Sequence, residues 1–179
     1  MSGWSLSDLG LIVAGIGPGS FTGIRIGIST ALGLAQTCAL PFAGISGLDA
    51  LAQKLTGAEG RIGAVMDAQR GQVYFAEYAG RHGKIVRAGK PELLRPEQLA
   101  ARLAGKRIVL AGDGALRYRE EIAGGREWPR LMDVDLFLAG AMGRLALARK
   151  RCWRSGGYLT SEPLYIRPPD AFGGKAKSR

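Results

Sequence analysis

The chain has 179 residues, 46% hydrophobic and 22% charged, with 25 Lys or Arg against 15 Asp or Glu and a formal net charge of +10. That is enough for one ordinary domain or two small lobes around a sizeable core, and it excludes a disordered or fibrous polypeptide. Cys38 and Cys152 lie in different segments without CxxC spacing, which reads as free thiols in a reducing compartment rather than a disulfide. The N-terminal MSGWSLSDLG has no basic region leading into an apolar core, so a cytoplasmic protein is expected.

In chain order, Leu11 to Ile16 is a short apolar run that ends in Gly15, Gly17 and Gly19 and reads as a buried strand. Ser20 or Thr22 then caps a helix over Thr22 to Cys38. Arg25 is the only charge in that helix. An apolar character nearly all round predicts burial on more than one side. Gly23, Gly27, Ala31 and Ala35 fall four apart and make a stripe of small residues, with Arg25, Ile28 and Leu32 beside it, which invites a close helix partner. Glycines, Arg25 and polar side chains interrupt the run too often for a membrane span.

Pro41 to Ile45 reads as a second strand. Ser46-Gly-Leu-Asp49 has the form of a capping box, and a helix with Leu48, Leu51, Ala52 and Leu55 inward should stop near Gly57. Two strands and two helices are a thin first lobe for so apolar a helix. Beyond a boundary at Thr56 to Gly60, Ile62 to Met66 and Gln72 to Tyr78 form a hairpin around Asp67-Ala-Gln-Arg-Gly71. Val73, Phe75 and Glu77 share one face of it, and Tyr74, Ala76 and Tyr78 the other. Ile85 to Leu93 reads as a third strand. Pro96 starts a helix to Gly105 with Leu99 and Leu103 inward. Arg107 to Ala111 is a strand, followed by the turn Gly112-Asp-Gly114 and a helix to about Ile122. Gly124 to Pro129 is a loop. Val134 to Lys150 reads as a helix with Arg144, Arg149, Lys150 and Arg151 near its end, where positive charge suits the dipole. The tail from Pro168 is expected to be disordered.

Charge is unevenly placed. Residues 1–60 hold Arg25 and Lys54 against Asp8, Asp49 and Glu59, a net of −1, which leaves 23 basic and 12 acidic residues, or +11, for residues 61–179. Two readings stand: attraction to a nucleic acid or another acidic partner, with Arg149 and Arg151 as contacts, or a solvated Arg-rich surface with few aromatics to stack on bases.

For chemistry, Gly17, Gly19 and Ser20 could cradle a phosphate at the helix start, but the turn lacks the GK[ST] ending of a P-loop and the last spacing of GxGxxG. Asp67 and Asp113 end strands before glycine turns, where carboxylates either hold Mg²⁺ against a phosphate or bond their own backbone. The single histidine, His82, sits in a Gly-bounded turn. One histidine cannot make an HxxxH metal pair, and nothing suggests a triad around it. No metal site is assigned, no catalytic residue is assigned, and no cofactor is assigned to the chain alone.

The run GIGPGSFTGIRIGISTALGLA resembles the signature of the TsaB (YeaZ) family, and PFAGISGLDALA, VMDAQRGQVYFAEY and EPLYIR follow in that family's order. The resemblance implies an actin-like α/β ATPase architecture in two lobes, here 1–57 with the interface helix and 58–167, before a tail over 168–179. It implies a non-catalytic dimerisation subunit of the complex that installs threonylcarbamoyl on the tRNA adenosine beside the anticodon. The partners implied are a TsaD-like catalytic subunit, a TsaE-like ATPase and tRNA through the complex, with ATP at the complex level and a homodimer as a further form. In relatives the interface is made by this helix and an earlier one, which carries over to Arg25, Gly27, Ile28, Ala31, Leu32 and Ala35. Relatives also carry a hairpin, a strand and a first helix before the GPGSFTG strand. This sequence begins just before that strand, so a shortened first lobe, weaker pairing and a sticky or oligomeric chain are expected. Gln69 and Gln72 stand where the family usually has Arg and Glu. The competing class is an enzyme: a small nucleotide-binding phosphotransferase using the Gly turn with Asp67 or Asp113, or a glycoprotease-like hydrolase.

Overall fold

The computed structural model describes residues 3, 5–125, 130–150, 153–155 and 162–167. Cys152, Arg151 and the tail from Pro168 lie outside the described residues, as does most of the expected loop before Arg130.

Two sheets carry the fold. In the first, β1 (Ile12–Gly15) runs parallel to β2 (Phe42–Ile45), with Ile12 opposite Phe42 and Gly15 opposite Ile45; α1 (Phe21–Thr37) connects them. The far edge of β2 is taken by β9 (Trp153–Arg154), antiparallel. In the second sheet, β3 (Gly60–Asp67) and β4 (Val73–Arg81) form a long hairpin in which Ile62 faces Tyr78 and Asp67 faces Val73. Along the outer edge of β4 lie β5 (Lys84–Arg87) and then β6 (Glu92–Leu94). On the other side of β3, β7 (Ile108–Ala111) and β8 (Arg130–Leu131) are added in parallel. The remaining helices are α2 (Gly47–Gln53), α3 (Pro96–Leu103), α4 (Asp113–Arg117), α5 (Arg119–Ala123) and α6 (Ala139–Ala148).

The alternation read along Val73 to Tyr78 sorts the core. Tyr74, Ala76 and Tyr78 face Leu48, Leu51 and Leu55 on and just beyond α2. Val73 and Phe75 face Leu99 and Leu103 of α3 and Ile122 of α5. Each of Leu48, Leu51 and Leu55 is at most 1% exposed. Burying such a side chain contributes roughly 1.5–3 kcal/mol. The first sheet is covered by α6, whose Ala141, Leu145 and Ala146 meet Ala43, Ile45 and Ala50. A chain that has built the second sheet thus returns to the first with α6 and β9, a return that the expected division at 57/58 does not contain. No described helix is long and apolar enough to cross a membrane.

Three elements depart from expectation for local reasons. The strand expected over Ile85 to Leu93 is two strands, because Ala88 donates its N–H to Glu77 O and the chain turns through Gly89 and Pro91 before pairing again. The helix expected from Val134 begins at Ala139: Asp135 accepts the Phe137 N–H at 3.0 Å and takes the Lys54 ammonium, holding the segment in a turn. The helix expected to run to Ile122 breaks at Tyr118 into α4 and α5.

Gly112 is the tightest point between strand β7 and helix α4. Its φ is +119°, and a Cβ there would lie 2.1 Å from Val65 O and 2.7 Å from Leu51 Cδ2. Left-handed strain and overpacking each cost about 1–3 kcal/mol. Gly112→Ala is therefore expected to lower stability by on the order of 3 kcal/mol, or about 6–12 °C in Tm for a chain of this size. Thermal unfolding followed by circular dichroism checks this, and an unchanged Tm would contradict the packing described.

Candidate functional site

The glycine turn between β1 and α1 is built against its own chain. Gly17 has φ +104°, and a Cβ on it would sit 2.8 Å from Ile24 Cδ1 and 3.1 Å from Leu164 O. Its carbonyl accepts the Gly47 N–H at 2.8 Å, so one of the first N–H groups of α2 is satisfied by the turn. Ser20, rather than Thr22, caps α1 by accepting the Gly23 N–H at 3.3 Å. Gly19 and Ser20 line a cleft of about 310 Å³ whose other wall is Asp67, Gln69 and Tyr74.

The segment 162–167 crosses this cleft and ties the two sheets together. Leu164 donates its N–H to Ile16 O at 2.7 Å. Tyr165 packs its ring on Phe21, centroids 4.8 Å apart, and its hydroxyl accepts from Arg25 Nε at 2.9 Å. The Arg25 guanidinium lies 3.9 Å over the Phe21 ring. Arg25, expected at a partner interface, is thus exposed but held by its own chain. At the far end Arg167 donates to Gln72 Oε1 at 2.7 Å and to Gln69 O at 3.3 Å.

Both candidate carboxylates are engaged. Asp113 Oδ1 accepts the N–H groups of Asp67 and Gly114 at 3.1 and 2.9 Å. Asp67 accepts the Gln69 N–H and side-chain amide, each at 2.9 Å, and the Arg117 guanidinium at 2.7 Å. They bond local backbone and an arginine, the arrangement that turn aspartates favour. Among the described residues no three His, Cys, Asp or Glu side chains group as a metal site would require. His82 is exposed in its turn with φ +49°, and its N–H goes to Glu59 Oε1.

The outer face of α1 differs from the expected one. Ile28 is 4% exposed and Ala35 is fully buried, both inside this chain. Ala31 and Leu32 are half-buried, and Gly27 is exposed, with open space where a Cβ would stand. The reason is geometric. A row of residues four apart advances about 40° around a helix at each step. The stripe that starts in solvent at Gly23 and Gly27 therefore winds into the core by Ala35. Ile28 and Ala35 are removed from the candidate interface. Ile26, 62% exposed, and Leu34, 44% exposed, enter it together with Gly33. The sequence signal for Leu34 was the drift of that stripe, which leaves Gly23, Gly27, Thr30 and Leu34 as an outward row; Ile26 and Gly33, seven apart, flank that row on its exposed side.

Asp49, expected as half of a capping box, faces other elements instead. It accepts from the Tyr78 hydroxyl at 2.8 Å, from Arg87 Nε at 3.0 Å and from Arg149 at 3.2 Å. Burial first, and the Asp49 charge with it, push the Tyr78 phenol above its ordinary range. Among the described residues Ser46 Oγ is buried without a hydrogen-bond partner. Arg149, a contact under one of the two readings of the charge, is an internal tie between the end of α6 and α2.

The family model described as TsaD, tRNA N6-adenosine threonylcarbamoyltransferase, matches residues 1–130. The tRNA threonylcarbamoyladenosine biosynthesis protein TsaB of Escherichia coli is 43% identical over 93% of this chain and 74% of its own length. The protein of that description from Haemophilus influenzae is 30% identical over 93% of this chain and 73% of its own. Among solved structures, an uncharacterized protein from Pseudomonas aeruginosa with similarity to peptidase YEAZ superposes with a TM-score of 0.76 at 32% identity, covering 93% of this chain and 77% of that one. YeaZ from Pseudomonas aeruginosa gives 0.68 at 31% identity, over 82% of this chain and 70% of that one. The α/β fold is accordingly the actin-like one of these neighbours.

Proposed function

The chain belongs to the TsaB family, within the wider family whose model is described as tRNA N6-adenosine threonylcarbamoyltransferase, and from that membership we propose that it is a non-catalytic scaffold subunit of a tRNA threonylcarbamoyladenosine-forming complex. The observation that carries the reading is the outer face of α1. It presents Ile26 and Leu34 to solvent beside Gly27 and Gly33, where a second backbone can come close. The occupant is a TsaD-like catalytic subunit, with a TsaE-like ATPase and tRNA brought in by that pair, and the setting is the cytoplasm. The engaged oxygens of Asp67 and Asp113 favour this role over a phosphotransferase acting through them.

The test is reconstitution. The purified chain, mixed with a TsaD-like subunit, should give a species with the summed mass by light scattering. With a TsaE-like ATPase, ATP and a threonylcarbamoyl donor, modification of tRNA should depend on adding this chain. The chain alone should hydrolyse neither ATP nor peptides. ATP turnover by the chain alone that Asp67→Ala removes would instead establish the enzyme reading.

A further inference from the structure

A second concave site lies away from α1 and from the cleft under residues 162–167. It is a cavity of about 560 Å³ at the N-terminal ends of β3 and β7, between the C-terminal ends of α3 and α5. Its floor is aliphatic: Leu103, Ile108 and Ile122 line it and are 3–6% exposed. Its mouth is cationic, with Arg61, Lys106, Arg107 and Arg130 around it.

Several arginines of this chain pair with carboxylates: Arg87 and Arg149 on Asp49, Arg102 on Glu92, Arg117 on Asp67. Around this hollow, among the described residues, only Arg61 does, with Glu77 at 3.4 Å. The side chains of Lys106, Arg107 and Arg130 have no hydrogen bond or ion pair among the described residues. Glu59, the one acid among the described residues of the lining, spends Oε1 on the His82 N–H. The carbonyl end of α3 offsets part of the charge of Lys106 and Arg107, but such an end carries only about half a unit charge and does not reach beyond its last turn. Among the described residues, four cations, one of them paired with Glu77, and the single lining carboxylate of Glu59 surround an apolar hollow the size of a small organic ligand.

We propose that this hollow is an RNA site. It seats one unstacked nucleotide of a single-stranded segment on the aliphatic floor, while Arg107, Arg130, Lys106 and Arg61 hold the flanking phosphates. Phosphate is the anion that guanidinium forks match in pairs. Proteins read RNA mainly where bases are splayed out of a loop, so a hollow for one base with a charged rim fits that form. Among the described residues the lining holds no aromatic side chain, which makes the contact they offer tolerant of base identity. The choice of RNA over another polyanion rests on the proposed function, whereas the measurement below needs neither a catalytic partner nor the α1 face.

A labelled anticodon stem-loop RNA is titrated with the purified full chain by fluorescence anisotropy across a series of KCl concentrations. Arg107→Glu with Arg130→Glu should weaken binding at least about tenfold and flatten the slope of log affinity against log salt by about 1.4, two single-strand phosphate contacts. Ala104→Trp, which fills the mouth without changing charge, should weaken it about threefold or more. Arg144→Glu on the exposed side of α6 should change it less than about twofold. Circular dichroism checks that each variant is folded, and Arg107→Gln with Arg130→Gln replaces the reversal if it is not. Absence of RNA binding, equal weakening by Arg144→Glu, or indifference to Ala104→Trp would each overturn the proposal. Adenosine monophosphate binding that is sensitive to the double variant, with RNA binding that is not, would assign the hollow to a free nucleotide and overturn it too.

Discussion

Asp49→Asn is expected to lower the stability of the chain by about 2–3 kcal/mol, below the 3–5 typical when one partner of a fully buried pair is removed. The carboxylate joins four elements at once. It lies on α2 and takes donors from Tyr78 on β4, Arg87 on β5 and Arg149 just beyond α6. Its side chain is 12% exposed, and the two arginines are 32% and 33% exposed, so water relieves part of their loss. The amide keeps the shape but holds an NH₂ donor where three donors converge, leaving two guanidinium groups without a counter-charge. Tm should fall by about 4–12 °C. Urea unfolding with an unchanged slope and a midpoint shift equivalent to under about 0.5 kcal/mol would show that the hub is surface decoration. The raised Tyr78 adds a pH signature. The unfolded phenol ionises near 10, and the folded one only at higher pH, so stability held below about pH 10 is lost as pH rises beyond it.

That hub also marks where sequence reasoning stops. Short apolar runs bounded by glycine located β1, β2, β3 and β7, and period-two alternation assigned Tyr74 and Phe75 to opposite cores correctly. Such patterns are local, and so they are legible. Ser46-Gly-Leu-Asp49 also reads locally, as a cap. The cap fails because the carboxylate has partners that are distant in sequence and better in charge, which no four-residue window can contain. The two-residue strands β8 and β9 carry no periodicity and exist through their neighbours alone. At the candidate site the sequence singled out α1 but not which of its residues face outward. All-round apolarity hides which face is inward, and only the packing of α1 on the first sheet decides that Ile28 is inside and Ile26 outside. The tie from Arg25 to Tyr165 spans 140 positions and was equally invisible.

The α1 face gives the prediction with the sharpest contrast. Ile26→Asp combined with Leu34→Asp should leave the chain folded, since both side chains already stand in water at 62% and 44% exposure and surface changes usually fall within about 0.5 kcal/mol each. The same variant should weaken pairing with a TsaD-like subunit by at least about 100-fold, or about 2.7 kcal/mol. Docking would bury two carboxylates where two apolar anchors belonged, at several kcal/mol. Ile28→Asp should do the reverse in order of cause. Its side chain is 4% exposed inside the chain, so the carboxylate should destabilise the fold itself by roughly 3 kcal/mol or more, and any loss of pairing should track the unfolded fraction. Gly27→Gln separates the two effects further. Nothing lies within 4 Å of a Cβ at Gly27, so the longer side chain fits the isolated helix and gains up to about 1 kcal/mol of helix propensity. It also fills the groove through which a second backbone would approach, so Tm should rise while affinity falls. Tm and complex mass measured on the same three preparations decide the matter. Pairing that survives Ile26→Asp with Leu34→Asp, or an Ile28→Asp chain as stable as the unmodified one, would place the partner somewhere other than the outer face of α1.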